Sequence, residues 1–307
     1  MKKIIYFLIY WSGLNFLYSL YARKRLYLVM YHSVSSRETS ERLRGDLYTH
    51  VSIDAAQFEE QIQYLKKRGH TFITFKDLAT LDLKDVHKPT IIYFDDGFKD
   101  VQENALAILA KHHIPATLFL ITGVLDRTHM LWTILYRHIL TTQGMPPSKQ
   151  DEAIEEIKTR SDTERLEIMR RYAVEDYQEL FDIFLSWGEV RTLSQAHFEM
   201  GSHGVSHRHM TECSPQEFEY EARRSKERIE AEVGTPVTSF SFPYGRGTEA
   251  LAQKLRELGY KYVVSSGKGL NTVKPGSSML YLKNVSPKPG DSLRMFALKL
   301  YFLNLKS

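Results

Sequence analysis

Asp95-Asp96-Gly97 stands at the end of the apolar run Thr90-Ile-Ile-Tyr-Phe94. Two adjacent carboxylates at the edge of a buried strand repel one another, and burial penalises both charges. A cation relieves both problems. Gly97 lets the chain turn sharply, so side chains that alternate faces along a strand can reach one cleft. One carboxylate then binds the metal and its neighbour stays free as a base. The second feature is His203-Gly-Val-Ser-His207. Its i, i+4 spacing predicts one helical turn with both imidazoles on the same side. Two histidines and a carboxylate form a facial ligand set that leaves positions open for water and substrate. His209 is a rival ligand, but two residues beyond His207 it points elsewhere on a helix. A third stretch, Phe240-Ser-Phe-Pro243-Tyr244-Gly245, runs from a strand into a Pro/Gly turn whose backbone N–H groups can face an oxyanion.

Composition narrows how a metal is held. The 307 residues include 12 histidines and one cysteine, Cys213. That excludes a disulfide framework, multi-cysteine zinc and iron–sulfur clusters, and leaves His and carboxylate. At 43% hydrophobic and 25% charged the chain is globular, not disordered or low-complexity. The net charge of +4 is too small to argue for nucleic acid, and none is expected as a partner.

The elements that must carry these residues alternate. Strands are expected at 26–32, 71–74, 90–95, 114–121, 198–202, 237–243 and 260–265. A polar loop of about 20 residues after the first strand is long enough to lid a site. Helices are expected between the strands. One has Phe58, Ile62 and Leu65 on its apolar face and stops at Gly69. Others cover 75–81, the stretch holding Val101, Ala105, Ile108 and Leu109, and 248–258. A further helix starts at Ser214-Pro215 with Glu217 completing the cap, and stops at Gly234. Strand–helix alternation is the signature of a parallel α/β architecture. Residues 126–196 are charged and helical, with a capping box at Ser161–Glu164, and read as an insertion between two barrel strands. The organisation expected is an apolar segment over 1–25, a barrel over 26–290 and an amphipathic helix over 291–307.

Residues 4–22 carry no charge and are flanked by Lys2, Lys3, Arg23, Lys24 and Arg25. As a helix they would be roughly 28 Å long, enough to cross a bilayer core. Ser12, Asn15 and Ser19 form a polar stripe that suits a helix lying in the interface. A cleaved signal peptide is a third reading, for which Leu20-Tyr21-Ala22 is a poor site. Membrane association through this segment is expected, in the cell envelope or at the inner face of the cytoplasmic membrane.

Together the three motifs resemble those of the polysaccharide deacetylases of the nodulation-protein-B-like type, the family 4 carbohydrate esterases. Tyr93-Phe-Asp-Asp-Gly97 matches their Thr-Phe-Asp-Asp-Gly. His203 to His207 matches their His-(Ser/Thr)-x-x-His, and Pro243-Tyr244-Gly245 their Pro-Tyr-Gly. Met30-Tyr31-His32-Ser33-Val34 is similar to the Tyr-His start of the exopolysaccharide branch. The resemblance extends from about residue 26 to 290, with the motifs in order. It implies an α/β fold, a distorted (β/α)7 barrel with a helical insertion. It implies a divalent metal, usually zinc, on Asp96, His203 and His207, with Asp95 as general base. The Tyr244 backbone N–H would complete the oxyanion site.

The sequence departs from the family at four places. Gly204 replaces Ser or Thr, Arg208 replaces a frequent Pro, and Phe240 replaces a frequent Arg. The C-terminal Leu-x-His that supplies the general acid has no match in Leu280-Tyr-Leu-Lys283-Asn284-Val285. His32 is the candidate for that role. The activity expected is N-deacetylation of an acetylated glycan or lipid-linked sugar. The alternatives are a related hydrolase of a small amide or formyl group and a decayed glycan-binding protein.

Overall fold

A computed structural model describes residues 25–42, 47–158, 160–171, 177–196, 198–267, 271–273 and 280–301. β1 (Tyr27–Tyr31) leads through β2 (Ser33–Ser35), α1 (Arg37–Arg42) and β3 (Ser52–Asp54) into α2 (Ala55–Lys67). β4 (Thr71–Phe72), β5 (Pro89–Phe94), α3 (Leu106–Lys111), β6 (Thr117–Leu120) and α4 (Thr122–Leu125) follow. Then come α5 (Trp132–Thr142), α6 (Pro147–Lys158), α7 (Asp162–Arg170) and α8 (Trp187–Gln195). The chain continues through β7 (Glu199–Ser202), α9 (Pro215–Val233), β8 (Ser239–Ser241) and α10 (Glu249–Glu257). It ends with β9 (Tyr262–Ser265), β10 (Leu280–Lys283) and α11 (Leu293–Tyr301).

The strands run parallel in the order β1-β5-β6-β7-β8-β9-β10, with β4 paired to the start of β5. Val285, just past β10, bridges Val29 of β1. Met30 N–H donates to Val285 O and Val285 N–H to Leu28 O, each at 2.8 Å. The seven strands are therefore nearly closed into a barrel flanked by helices. β5 and β6 are buried throughout, the pattern of strands covered on both faces. Alternate residues divide between two cores. Leu28, Ile91, Tyr93, Phe119, Val264 and Leu282 pack together as one. Val29, Ile92, Phe94, Leu118 and Val263 join the larger core shared with the helices.

Helices α5 to α8 lie between β6 and β7. Tyr136, Ile139, Leu140, Ile154, Ile157 and Met169 give this insertion an apolar cluster of its own. Capping boxes start α7 at Ser161, α8 at Ser186 and α9 at Ser214.

Two expectations change. The polar loop after β1 holds structure: β2 pairs with β3 in parallel, and α1 follows. Ser33 is buried and Ser35 half-buried, and both donate to the buried Asp100 Oδ2, at 2.5 and 2.8 Å. The helix expected at 75–81 is a single 3₁₀ turn, Asp77–Ala79. Among the described residues no helix is long and apolar enough to cross a membrane. Residues 4–22 lie outside the described residues.

His70 ties α11 to the barrel. Thr90 Oγ1 donates to Lys88 O, so His70 Nδ1–H donates to Thr90 Oγ1 at 2.6 Å. Its Nε2 then accepts from Tyr301 Oη at 2.9 Å, with the Tyr27 ring edge-on at 4.9 Å. Burial first, then Lys88 and His87, pushes this imidazole down to about 3. The unfolded chain, with His near 6.5, binds the extra proton between those values. The contribution to stability is therefore full above about pH 6.5 and is lost as pH falls towards 3, at up to about 1.4 kcal/mol per unit. His70→Gln is expected to flatten the fall in urea-unfolding free energy between pH 7 and pH 5. A variant as steep as the wild-type protein would remove His70 from that account.

Candidate metal centre

The ladder carries β5 one residue past its end, where Asp95 N–H donates to Tyr31 O at 2.9 Å. The chain then turns through two left-handed residues, Asp96 at φ 75° and Gly97 at φ 86°. Asp tolerates that region better than most side chains. The turn brings both carboxylates into one cavity of about 320 Å³.

His203 follows β7, and its N–H donates to Leu120 O at 2.9 Å. Its ring Nδ1–H donates to Ser241 O at 2.7 Å, which leaves the Nε2 lone pair free. That Nε2 lies 3.5 Å from Asp96 Oδ1, and His207 Nε2 lies 3.5 Å from the same oxygen. The ligand atoms of Asp96, His203 and His207 all fall within 4.8 Å of one another. The histidines do not share a helical turn, however. Residues 203–209 form a loop with Gly204 at φ 84° and His207 at φ 57°. Thr122 N–H and Gly123 N–H, at the start of α4, bind Gly204 O and Val205 O at 3.1 and 2.8 Å. His209 is not in the cluster. Its ring lies flat on Tyr244, centroids 4.0 Å apart, and its N–H donates to Asp162 Oδ2 at 3.2 Å.

The donor set fits a divalent cation. Asp96 Oδ1 and Asp95 Oδ1 are buried with no hydrogen-bond partner, an arrangement that costs free energy unless something binds there. Burial pushes Asp96 up to about 7. It pushes Asp95 well above the usual carboxylate range, and the neighbouring Asp96 adds to that. Burial holds His203 near 3 and His207 well below its ordinary value, so both are neutral, the form that ligates a metal.

Further groups surround this set. Ser241 Oγ donates to Asp95 Oδ2 at 3.2 Å. Tyr244 sits in the Pro243–Gly245 turn at φ 58°, and its hydroxyl accepts from Trp132 Nε1–H of α5 at 2.7 Å. Arg165 of α7 lies over the Tyr244 ring at 5.9 Å and over Trp132 at 5.2 Å. His32 also lines the cavity, pushed down to about 4 by burial and then by His50. Phe240 packs edge-on against Phe242 and Tyr260, an apolar contact beneath the Pro243–Gly245 turn.

Other lining residues escape a reading by motif. His50 comes from the loop before β3, and Ile154, Glu155 and Lys158 come from α6 of the insertion. Nothing local marks them, because the pairing of β2 with β3 and the fold of the insertion bring them to the rim.

Residues 83–263 match the polysaccharide deacetylase family. The poly-β-1,6-N-acetyl-D-glucosamine N-deacetylase of Staphylococcus aureus (strain NCTC 8325 / PS 47) is 39% identical over 74 residues, 24% of this chain and 26% of that protein. BC0361, a polysaccharide deacetylase from Bacillus cereus, superposes with a TM-score of 0.62 at 20% identity, over 91% of this chain and 69% of that one. IcaB from Ammonifex degensii does so with a TM-score of 0.56 at 18% identity, over 90% and 97%. At those identities the superpositions speak for the barrel fold alone, while the family match spans the strands that deliver the Asp-Asp, His-His and Pro-Tyr-Gly motifs. The chain belongs to the polysaccharide deacetylase family, hydrolases that act on the amide bonds of N-acetyl groups.

Proposed function

We propose that this protein is a metal-dependent N-deacetylase of an N-acetylhexosamine-containing polysaccharide or lipid-linked glycan, releasing acetate. The observation that carries the reading is the convergence of Asp95, Asp96, His203 and His207 with the Pro243–Gly245 turn in one cavity. Asp96, His203 and His207 would hold a divalent metal, zinc in this reading. When bound, the metal lowers the pKa of water towards about 7 and polarises the acetamide carbonyl. Asp95, steadied by the Ser241 hydroxyl, takes the proton of the attacking water. The Tyr244 backbone N–H donates to the carbonyl oxygen as charge develops there. Trp132 fixes that residue by its hydroxyl. His32, neutral at rest and lining the same cavity, relays the proton that Asp95 takes from the water to the leaving amine nitrogen as the carbon–nitrogen bond breaks.

The cavity walls bear on the substrate. Ile154, Glu155 and Lys158 of α6 and His50 face the same space as the barrel rim, and about 320 Å³ suits one hexosamine unit. The apolar run 4–22 with its basic flanks supports a membrane-surface location, where lipid-linked sugars lie.

Metal analysis of the pure protein joined to an acetate-release screen tests the reading. The screen covers poly-N-acetylglucosamine, chitooligosaccharides and a lipid-linked N-acetylhexosamine. Stoichiometric zinc with acetate release from at least one of them is expected. Zinc without acetate release on any would favour a glycan-binding protein with a decayed site.

A further inference from the structure

Gly204 brings no side chain to hold the metal-binding loop beside His203. We infer that Glu221, from α9, does that work here as the positioning residue of the loop. The inference rests on the metal reading of the same loop. Glu221 is 3% exposed. Its Oε2 accepts from Val205 N–H at 2.7 Å and Ser206 N–H at 2.9 Å, and its Oε1 accepts from the Ser206 hydroxyl. These bonds clasp the stretch between His203 and His207. Successive N–H groups aimed at one carboxylate form an anion nest, and hydrogen bonds to an ionised acceptor are the stronger kind.

The space argues the same way. Gly204 is left-handed at φ 84°, and a Cβ built on it would lie 2.9 Å from Glu221 Oε2. A side chain on Gly204 and the Glu221 carboxylate therefore compete for one place. The loop is held from the helix side instead of from within. Glu221 is not one of the clustered ligands; it acts through the backbone between His203 and His207.

Zinc affinity of the full chain, measured by competition with a chromogenic chelator, tests this without any substrate. Glu221→Ala removes all three bonds and is expected to weaken zinc binding about 10- to 100-fold, the usual effect of losing an outer partner of a ligand. Glu221→Gln keeps an acceptor for both N–H groups and a donor for the Ser206 hydroxyl, and is expected to stay within about threefold of wild type. The absorption spectrum of the cobalt-loaded protein should change in E221A and not in E221Q.

A folded E221A that binds zinc as tightly as wild type overturns the inference. Should E221A not fold, Ser206→Ala removes only the hydroxyl bond. Weaker zinc binding by a folded S206A then supports the inference, and unchanged binding overturns it. Wild-type protein that binds no divalent metal at all overturns this inference together with the metal-hydrolase reading. E221A binding as tightly as wild type leaves that reading standing.

Discussion

Asp95→Asn is expected to lower acetate release by about 10²- to 10⁴-fold, the usual contribution of a positioned general base. Zinc stoichiometry should not change. The substitution is nearly isosteric, and an Asn carbonyl oxygen can still accept from Ser241 Oγ, which now donates to Asp95 Oδ2 at 3.2 Å. Asp95 is not in the cluster of Asp96, His203 and His207, so the ligand set survives. What is lost is a proton acceptor next to the metal position. The metal-free protein gives a second readout. Asp95 is pushed well above the carboxylate range by burial and by Asp96, so the pair is uncomfortable without a cation. Removing one carboxylate relieves that repulsion, and metal-free D95N should melt no lower than the metal-free wild type. A functional group that destabilises its own site is the common cost of catalysis. D95N that deacetylates at the wild-type rate would falsify the base assignment while leaving the metal assignment intact.

Much of the barrel was legible because its strands are covered on both faces. A parallel strand buried twice reads as an unbroken apolar run, and Thr90 to Phe94 is the clearest. β5, β6, β7 and β9 fall within a few residues of their expected positions. The site was legible for a related reason. A charged or Pro/Gly residue directly after such a run marks a strand end, and in a parallel barrel those ends share a rim. The His203–His207 spacing singled out a pair that the fold brings together with Asp96, but it implied the wrong local structure. Four residues apart reads as a helical turn, but Gly204 is left-handed and Glu221 takes up the loop's N–H groups, so no helix forms. The stabilising partner lies 15 residues or more along the chain, beyond the reach of local periodicity. His50 shows the same limit. It stands in a polar stretch with no spacing to mark it, and reaches the cavity because Ser33, Ser35 and Asp100 fold that stretch against the barrel.

His203→Ala should abolish useful metal binding, while His209→Ala should leave it within about twofold. Losing an outer partner of a ligand typically costs 10- to 100-fold, so losing a ligand should exceed a hundredfold. The contrast between the two variants is the stronger test, since both rings are buried, at 2% and 1% exposure. His203 aims its Nε2 at Asp96 Oδ1 because Ser241 O holds the other nitrogen. His209 lies flat on the Tyr244 ring with its Nδ1 towards Arg246 Nη1 at 3.4 Å, outside the ligand cluster. Thermal unfolding separates ligand loss from packing loss. H203A leaves Ser241 O without its buried donor, a cost of about 1–3 kcal/mol that appears with or without metal. Zinc at a hundred times the wild-type dissociation constant stabilises the wild-type protein by about 2.7 kcal/mol. At that concentration a hundredfold weaker variant gains only about 0.4 kcal/mol. H203A should therefore melt somewhat lower than wild type and respond little to zinc. H209A should keep the full zinc response whatever its own melting temperature. A full zinc response in H203A, or its loss in H209A, would move the ligand assignment from His203 to His209.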